Sequence, residues 1–353
     1  MKGFSDEGDI PRRDLISLNK VPEALYTCTA TELWQHLNGP TLLHLSGKED
    51  TPLFLTILLH GNEHTGFEAL KLILNRYRNK QFPRPLIIFI GNIAAAKANT
   101  RTLSNQIDFN RCWPGTPHKT SKEAAIMAKV TSYVQSQRPF ASVDIHNNTG
   151  KNPHYGCINR LEPAYIHLAK LFAKDIVYFE RPLGVQSAAL ASICPAVTIE
   201  CGRIGESAIN EETAAYIDRL LNLKELPTNL PSPDEFTLLQ TISIIKLPED
   251  ASFSFNGTAA DFILRPDLDE LNFQKLSPGA SLGVRCSKSQ KQLEILSAIQ
   301  DQPPQDIIEY KDNEVRLKQT AIPAMLTLDT NAIRSDCLGY LMQEINERGA
   351  PLK

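Results

Sequence analysis

Four short clusters in the first two-thirds of the chain each follow an apolar run: His60-Gly61-Asn62-Glu63, Asp108-Phe109-Asn110-Arg111, Asp144-Ile145-His146 and Glu200-Cys201-Gly202. Together they offer imidazoles, carboxylates and guanidinium groups. A zinc site that hydrolyses an amide next to a carboxylate needs this set: neutral imidazoles and one carboxylate on the metal, a second carboxylate to carry the proton, and guanidinium groups for anions. His60 and Glu63 lie three apart where the chain turns through Gly61-Asn62. Such a turn aims both side chains at one point, and a distant His146 completes the set with one position open for water. Taken alone, His60 can equally end a strand while Glu63 sits favourably near the N-terminus of the next helix. A rival chemistry is also spelled here, because His60-x-x-Glu63-His64 fits the H-x-x-E-H pattern with His64 as ligand and Glu63 as base. That pattern works within one helix, whereas an apolar run leads straight into this one and Gly61-Asn62 weaken any helix.

The elements that must position these residues follow from hydrophobic periodicity. Residues 41–45 read as a first strand, and residues 53–59 form a continuous apolar run ending at His60, the pattern of a strand buried on both faces. Thr65 caps a helix from 66 to about 80, in which Phe67, Leu70, Leu74 and Tyr77 recur at helical spacing. A strand over 85–90 leads to a polar stretch carrying Arg101, Asp108 and Arg111, closed by Trp113-Pro114-Gly115. A helix over 121–137 precedes a strand over 142–145 that delivers His146. Another helix at about 162–174 and a strand at 176–179 follow, and the run 196–199 delivers Glu200. Strands alternating with helices predict an α/β fold with a mixed, mainly parallel sheet flanked by helices. In such sheets the ligand site lies off the carboxyl ends of the strands, where His60, His146 and Glu200 all fall.

Beyond about Leu226 the texture changes. Pro227, Pro231 and Pro233 mark a linker, after which short β-rich runs alternate with turn residues, and helical spacing returns only at 337–345. The expected organisation is a catalytic domain over 1–226 and a smaller β-rich domain over 227–353. A net charge of -3 from 37 basic and 40 acidic side chains, without long runs of either sign, argues against nucleic-acid and membrane-surface partners. Seven scattered cysteines without a Cys-x-x-Cys pair suit a reducing compartment. The N-terminus, Met1 to Glu7, is polar with no apolar stretch behind it, so a cytoplasmic protein is expected.

The order and spacing of the motifs resemble the succinylglutamate desuccinylase/aspartoacylase family of the zinc carboxypeptidase clan. The likeness rests on His60-Gly61-Asn62-Glu63 with Gly66, Asp108-x-Asn110-Arg111-x-Trp113-Pro114-Gly115, Asp144-Ile145-His146-Asn147 and Glu200-x-Gly202, and spans about residues 53–205. The resemblance implies a zinc carboxypeptidase-like domain with an added β domain, and one zinc per chain on His60, Glu63 and His146. It makes Glu200 the general base, places Arg101 on the scissile carbonyl, and gives Asn110 and Arg111 a substrate carboxylate to hold. Asp108 takes the position that orients the first ligand histidine, fixing its tautomer. Asp144 either does similar work for His146 or faces away.

The activity expected on these grounds is removal of an acyl group from an N-acyl amino acid or similar small acidic amide. A metallocarboxypeptidase acting on peptides is the alternative enzyme, and a zinc-binding regulatory relic of the same fold is the non-enzyme alternative. Which acyl group is removed is not legible: the segment Pro182 to Ser187 offers no central arginine, and Arg181, Arg203 and Tyr310 have no assignable role. The sequence leaves room for a homo-oligomer.

Overall fold

The structure, a computed structural model, describes residues 15–205 and 207–352; the N-terminal stretch Met1 to Glu7 lies outside them. In chain order the elements that matter for the site are β1 (Ile16–Leu18), β2 (Thr41–Leu45), β3 (Leu53–Ile57), α1 (Thr65–Arg76), β4 (Leu86–Ile90), α2 (Ile93–Ala98), α3 (Lys122–Gln137), β5 (Ala141–His146), β6 (Tyr155–Ile158), α4 (Pro163–Lys170), β7 (Asp175–Tyr178), α5 (Gln186–Leu190), β8 (Ala196–Glu200), α6 (Ser207–Asn222) and β9 (Thr237–Lys246). They fall into two compact, interleaved units.

The first unit comprises residues up to His146, Gly184–Cys194 and Asn210–Lys224. Its strands run in the order β1-β2-β4-β3-β5, with β2 and β4 antiparallel and the other pairs parallel. Every residue of β3, β4 and β5 is buried. This is why residues 53–57 and 86–90 are apolar without alternation: a strand covered on both faces has no polar side to show. The apolar run continues past β3, but the strand ends at Ile57, because Leu58 turns into the left-handed region with φ 55°. That conformation is uncommon for a side chain other than glycine. Two backbone bonds hold it, from Asn92 N–H to Leu58 O and from Gly91 N–H to Ile57 O.

The second unit comprises Asn147–Leu183, Pro195–Ile209 and Glu225 to the C-terminus. Its larger sheet has the order β8-β6-β7-β9, continued by Gly339–Glu344 and Ile322–Ala324. Strands β6 and β7 and strands β7 and β9 pair in parallel, while β6 and β8 are antiparallel. A second sheet of five short strands shares an apolar core with the larger sheet, in which Phe262, Leu282, Val315 and Leu317 join Ile242, Ile245 and Leu341. Strands β6, β7 and β8 hydrogen-bond into the same ladder as β9, so they cluster with the C-terminal chain.

Helical spacing at residues 337–345 misleads. The segment Gly339–Glu344 is a strand lying between β9 and Ile322–Ala324, antiparallel to both. Its consecutive residues Leu341 and Met342 enter different apolar clusters, so two buried faces imitate a helical repeat. The nearby helix is Thr330–Ser335, where Asp329 accepts the N–H groups of Asn331 and Ala332 at the N-terminus. Helix α6, absent from the sequence-level reading, carries buried Ile209, Ala214, Ile217 and Leu221 at regular helical spacing. No helix among the described residues is long and apolar enough to cross a membrane.

If β3 is a strand buried on both faces, Leu55→Ala removes side-chain atoms that are 0% exposed and costs about 2–5 kcal/mol. Urea unfolding should then show a lower midpoint with an unchanged slope. A loss below about 1 kcal/mol would contradict the burial of this strand.

Candidate metal centre

Four chain segments of the first unit converge on one point. Past Leu58 the chain makes a tight turn, held by the Glu63 N–H on His60 O and by the Gly61 N–H on Arg101 O. Glycine is required at 61, because a Cβ there would lie 2.1 Å from the Ala95 carbonyl carbon. His60 and Glu63 thus leave the end of β3 on the same side, and His146 arrives as the last residue of the neighbouring β5.

His60 Nδ1 stands 2.6 Å from Glu63 Oε1, and His146 Nδ1 stands 2.7 Å from Glu63 Oε2. The two imidazole centroids are 4.8 Å apart. All three residues are buried, and one ligand atom from each lies within 4.8 Å of the others; this is the metal-competent group of three among the described residues. Each Nε2 faces a different carboxylate: His60 Nε2 is 3.1 Å from Asp108 Oδ1, and His146 Nε2 is 2.9 Å from Asp144 Oδ2. An Nε2–H donated outward leaves the Nδ1 lone pair for a metal. Asp144 therefore faces His146 rather than away from it. His64 does not join the group, since its Nε2 donates to Gly61 O at 3.1 Å from the start of α1.

The electrostatics suit a cation. Burial raises the Glu63 pKa, but His60 and His146 overcome it and hold the carboxyl far below its ordinary value. Burial likewise opposes ionisation of Asp108, and the Arg101 guanidinium with His60 outweighs it, leaving the pKa well down. Burial and Arg101 act to lower the His60 pKa, yet Glu63 and Asp108 keep it above the usual histidine value. For His146, burial is outweighed by Asp144 and Glu63, and the pKa is well up. Three carboxylates against the Arg101 and Arg111 guanidinium groups leave one net negative charge when both imidazoles are neutral. Two imidazole nitrogens, one carboxylate and that charge fit a divalent ion such as zinc.

Arg101 places Nε and Nη2 on Asp108 Oδ2, at 3.1 and 2.9 Å, and its Nη1 stands 3.9 Å from Glu63 Oε1. Asn110 lies in the turn Phe109–Arg111, whose N-terminus is capped by Asp108. Its Nδ2 is 3.1 Å from His146 Nε2, and its Oδ1 accepts the Gln186 N–H at 3.0 Å. Arg111 shares that turn and donates from Nη1 to Asn110 O. His60, Glu63, Arg101, Asp108, Asn110 and His146 are thus brought together.

Glu200 belongs to the second unit. It is the last residue of β8, buried, in register with Tyr155 of β6. Tyr155 donates its hydroxyl to Met325 Sδ, and burial together with the Glu200 charge pushes its pKa well up. In the same unit Arg203 donates to buried Asp269 at 2.6 Å. The Tyr310 hydroxyl accepts the Leu293 N–H, with the Arg285 guanidinium 4.3 Å from its ring centroid.

Residues 51–223 match the family model for the succinylglutamate desuccinylase/aspartoacylase catalytic domain. The chain belongs to this family. The solved structures similar to it include the succinylglutamate desuccinylase of Vibrio cholerae, at 14% identity over 84% of this chain and 82% of that one, with a TM-score of 0.56. The desuccinylase of Chromobacterium violaceum is similar at 14% identity over 85% and 86%, with a TM-score of 0.54. Murine aminoacylase 3 is similar at 15% identity over 85% and 97%, with a TM-score of 0.54. At these identities the likeness is one of fold. No curated protein sequence matches the chain.

As a member of the desuccinylase/aspartoacylase family with this donor set, the protein should lose its metal in His60→Ala and His146→Ala and keep it in His64→Ala. Asp144→Asn should weaken binding by about 10–100-fold, the usual range when the partner of a ligating histidine is removed. Competition against a chromogenic chelator measures all four variants. Metal loss in His64→Ala with retention in His146→Ala would favour the helical H-x-x-E-H pattern.

Proposed function

We propose that this protein is a zinc-dependent amidohydrolase that removes the acyl group from an N-acyl amino acid or a similar small acidic amide. The observation that carries the reading is the convergence of His60, Glu63 and His146, each imidazole backed by a carboxylate, with a guanidinium edge beside them. Zinc held by these three residues supplies a Lewis acid for the carbonyl and brings the pKa of water down to about 7.

The chain's own residues perform the remaining work. Asp108 and Asp144 face the two Nε2 atoms and orient the rings, so that the Nδ1 atoms are the ones that would give up their protons to a metal. Arg101, itself oriented by Asp108, offers a fixed positive edge to the oxygen on which charge develops, a contribution of about 3–4 kcal/mol for one such donor. Arg111, in the turn next to Asn110, takes a substrate carboxylate, for which the fork of a guanidinium is suited. Glu200 accepts the proton of the attacking water at its carboxylate and returns it to the leaving amine. Scattered cysteines without a Cys-x-x-Cys pair support a reducing compartment such as the cytoplasm.

An activity screen of the zinc-loaded protein against N-acetyl, N-succinyl and N-formyl amino acids and short peptides tests this reading. Turnover of at least one N-acyl amino acid is expected, and turnover of peptides alone would make the protein a carboxypeptidase. Glu200→Gln should keep zinc and lose at least about 10²-fold in kcat, because the isosteric amide cannot carry the proton. Retained turnover with an unchanged pH profile would remove Glu200 from the reaction.

A further inference from the structure

The segment before β8 contains Gln186, which has no role in the chemistry above and is 0% exposed although polar. Its Nε2 donates to Thr56 Oγ1 of β3 at 2.9 Å and to Ser142 Oγ of β5 at 2.8 Å. Its backbone N–H donates to Asn110 Oδ1 at 3.0 Å. One residue therefore joins the two strands that deliver His60 and His146 to the turn that carries Asn110 and Arg111.

The residues just before it grip the same turn. Gly184 O accepts the Trp113 N–H at 2.9 Å. Gly184 itself has φ 76°, and a Cβ there would lie 2.6 Å from Arg111 O, so no other residue allows this approach. A buried amide spending both N–H donors on hydroxyls of two adjacent strands is a rigid tie, since breaking it leaves buried polar atoms without partners.

We propose that Gln186 is a positioning residue that fixes the Asn110–Arg111 turn relative to the two metal-bearing strands, and so sets how a substrate carboxylate is held. Gln186 acts through Asn110 and touches no reacting atom. Gly184 and Gln186 then contribute to substrate binding by clamping the arginine turn. The assignment of the carboxylate to Arg111 rests on the proposed function; the tie itself does not.

Gln186→Met keeps the volume and removes both donors, and Thr56→Val with Ser142→Ala removes the same bonds from the other side. Both variants are prepared with zinc, and zinc content and melting temperature are recorded. With an N-acyl amino acid substrate, KM should rise at least fivefold while kcat stays within threefold of wild type. Hydrogen exchange followed by mass spectrometry, with zinc and no substrate, should show faster exchange in peptides covering 108–113 and 184–187 and no change over β4. If Gln186→Met does not fold, the Thr56/Ser142 pair carries the test alone. An unchanged KM in a variant of lowered melting temperature would reduce Gln186 to packing and overturn the proposal. If the wild type turns over no N-acyl amino acid, the functional reading fails by itself, and unchanged exchange at 108–113 would then overturn the tie.

Discussion

The centre depends on two outward hydrogen bonds, His60 Nε2 to Asp108 and His146 Nε2 to Asp144. A neutral imidazole can carry its proton on either of two distinct nitrogens, and the hydrogen bond made by one sets the role of the other. With both Nε2 atoms facing carboxylates, both Nδ1 atoms turn inward on Glu63, and the three ligand groups meet at one point. Asp108 serves twice, because its other oxygen holds Arg101. The metal group and the positive edge beside it therefore share one carboxylate, and a change at Asp108 reaches both.

Keeping charged groups inside strands as apolar as β3 and β5 is costly unless each is paired. Here the pairing is local and dense. Asp144 sits within β5, 0% exposed, two residues before the histidine it orients. Gln186 spans the hydroxyls of Thr56 and Ser142, placing polar contacts between the same two strands. The left-handed Leu58 and the close approach of Gly61 to Ala95 show the backbone conforming to the site rather than to regular geometry.

Much of this was legible in the sequence, for identifiable reasons. A strand buried on both faces reads as an unbroken apolar run, so the ends of the runs 53–59, 142–145 and 196–199 and the residues just beyond them stood out, and with them His60, Glu63, His146 and Glu200. The turn residues Gly61-Asn62 gave the His60–Glu63 geometry. Other features depend on long-range contacts that periodicity does not carry. Asp144 could be resolved only by seeing which way it faces. Leu341 and Met342 serve two different cores, so their strand imitated a helix. The interleaving of the two units follows from β7 pairing with β9 across a long stretch of sequence. Gln186 carried no signal of its own, lying between Val185 and Ser187.

Anomalous scattering at the zinc edge, from crystals grown with zinc, tests the central claim most directly. The account predicts one strong peak in the first unit, at about 2.0–2.2 Å from His60 Nδ1, His146 Nδ1 and a Glu63 oxygen, with both Nε2 atoms still on their carboxylates. A peak bound through either Nε2, or one shared with His64, would contradict it.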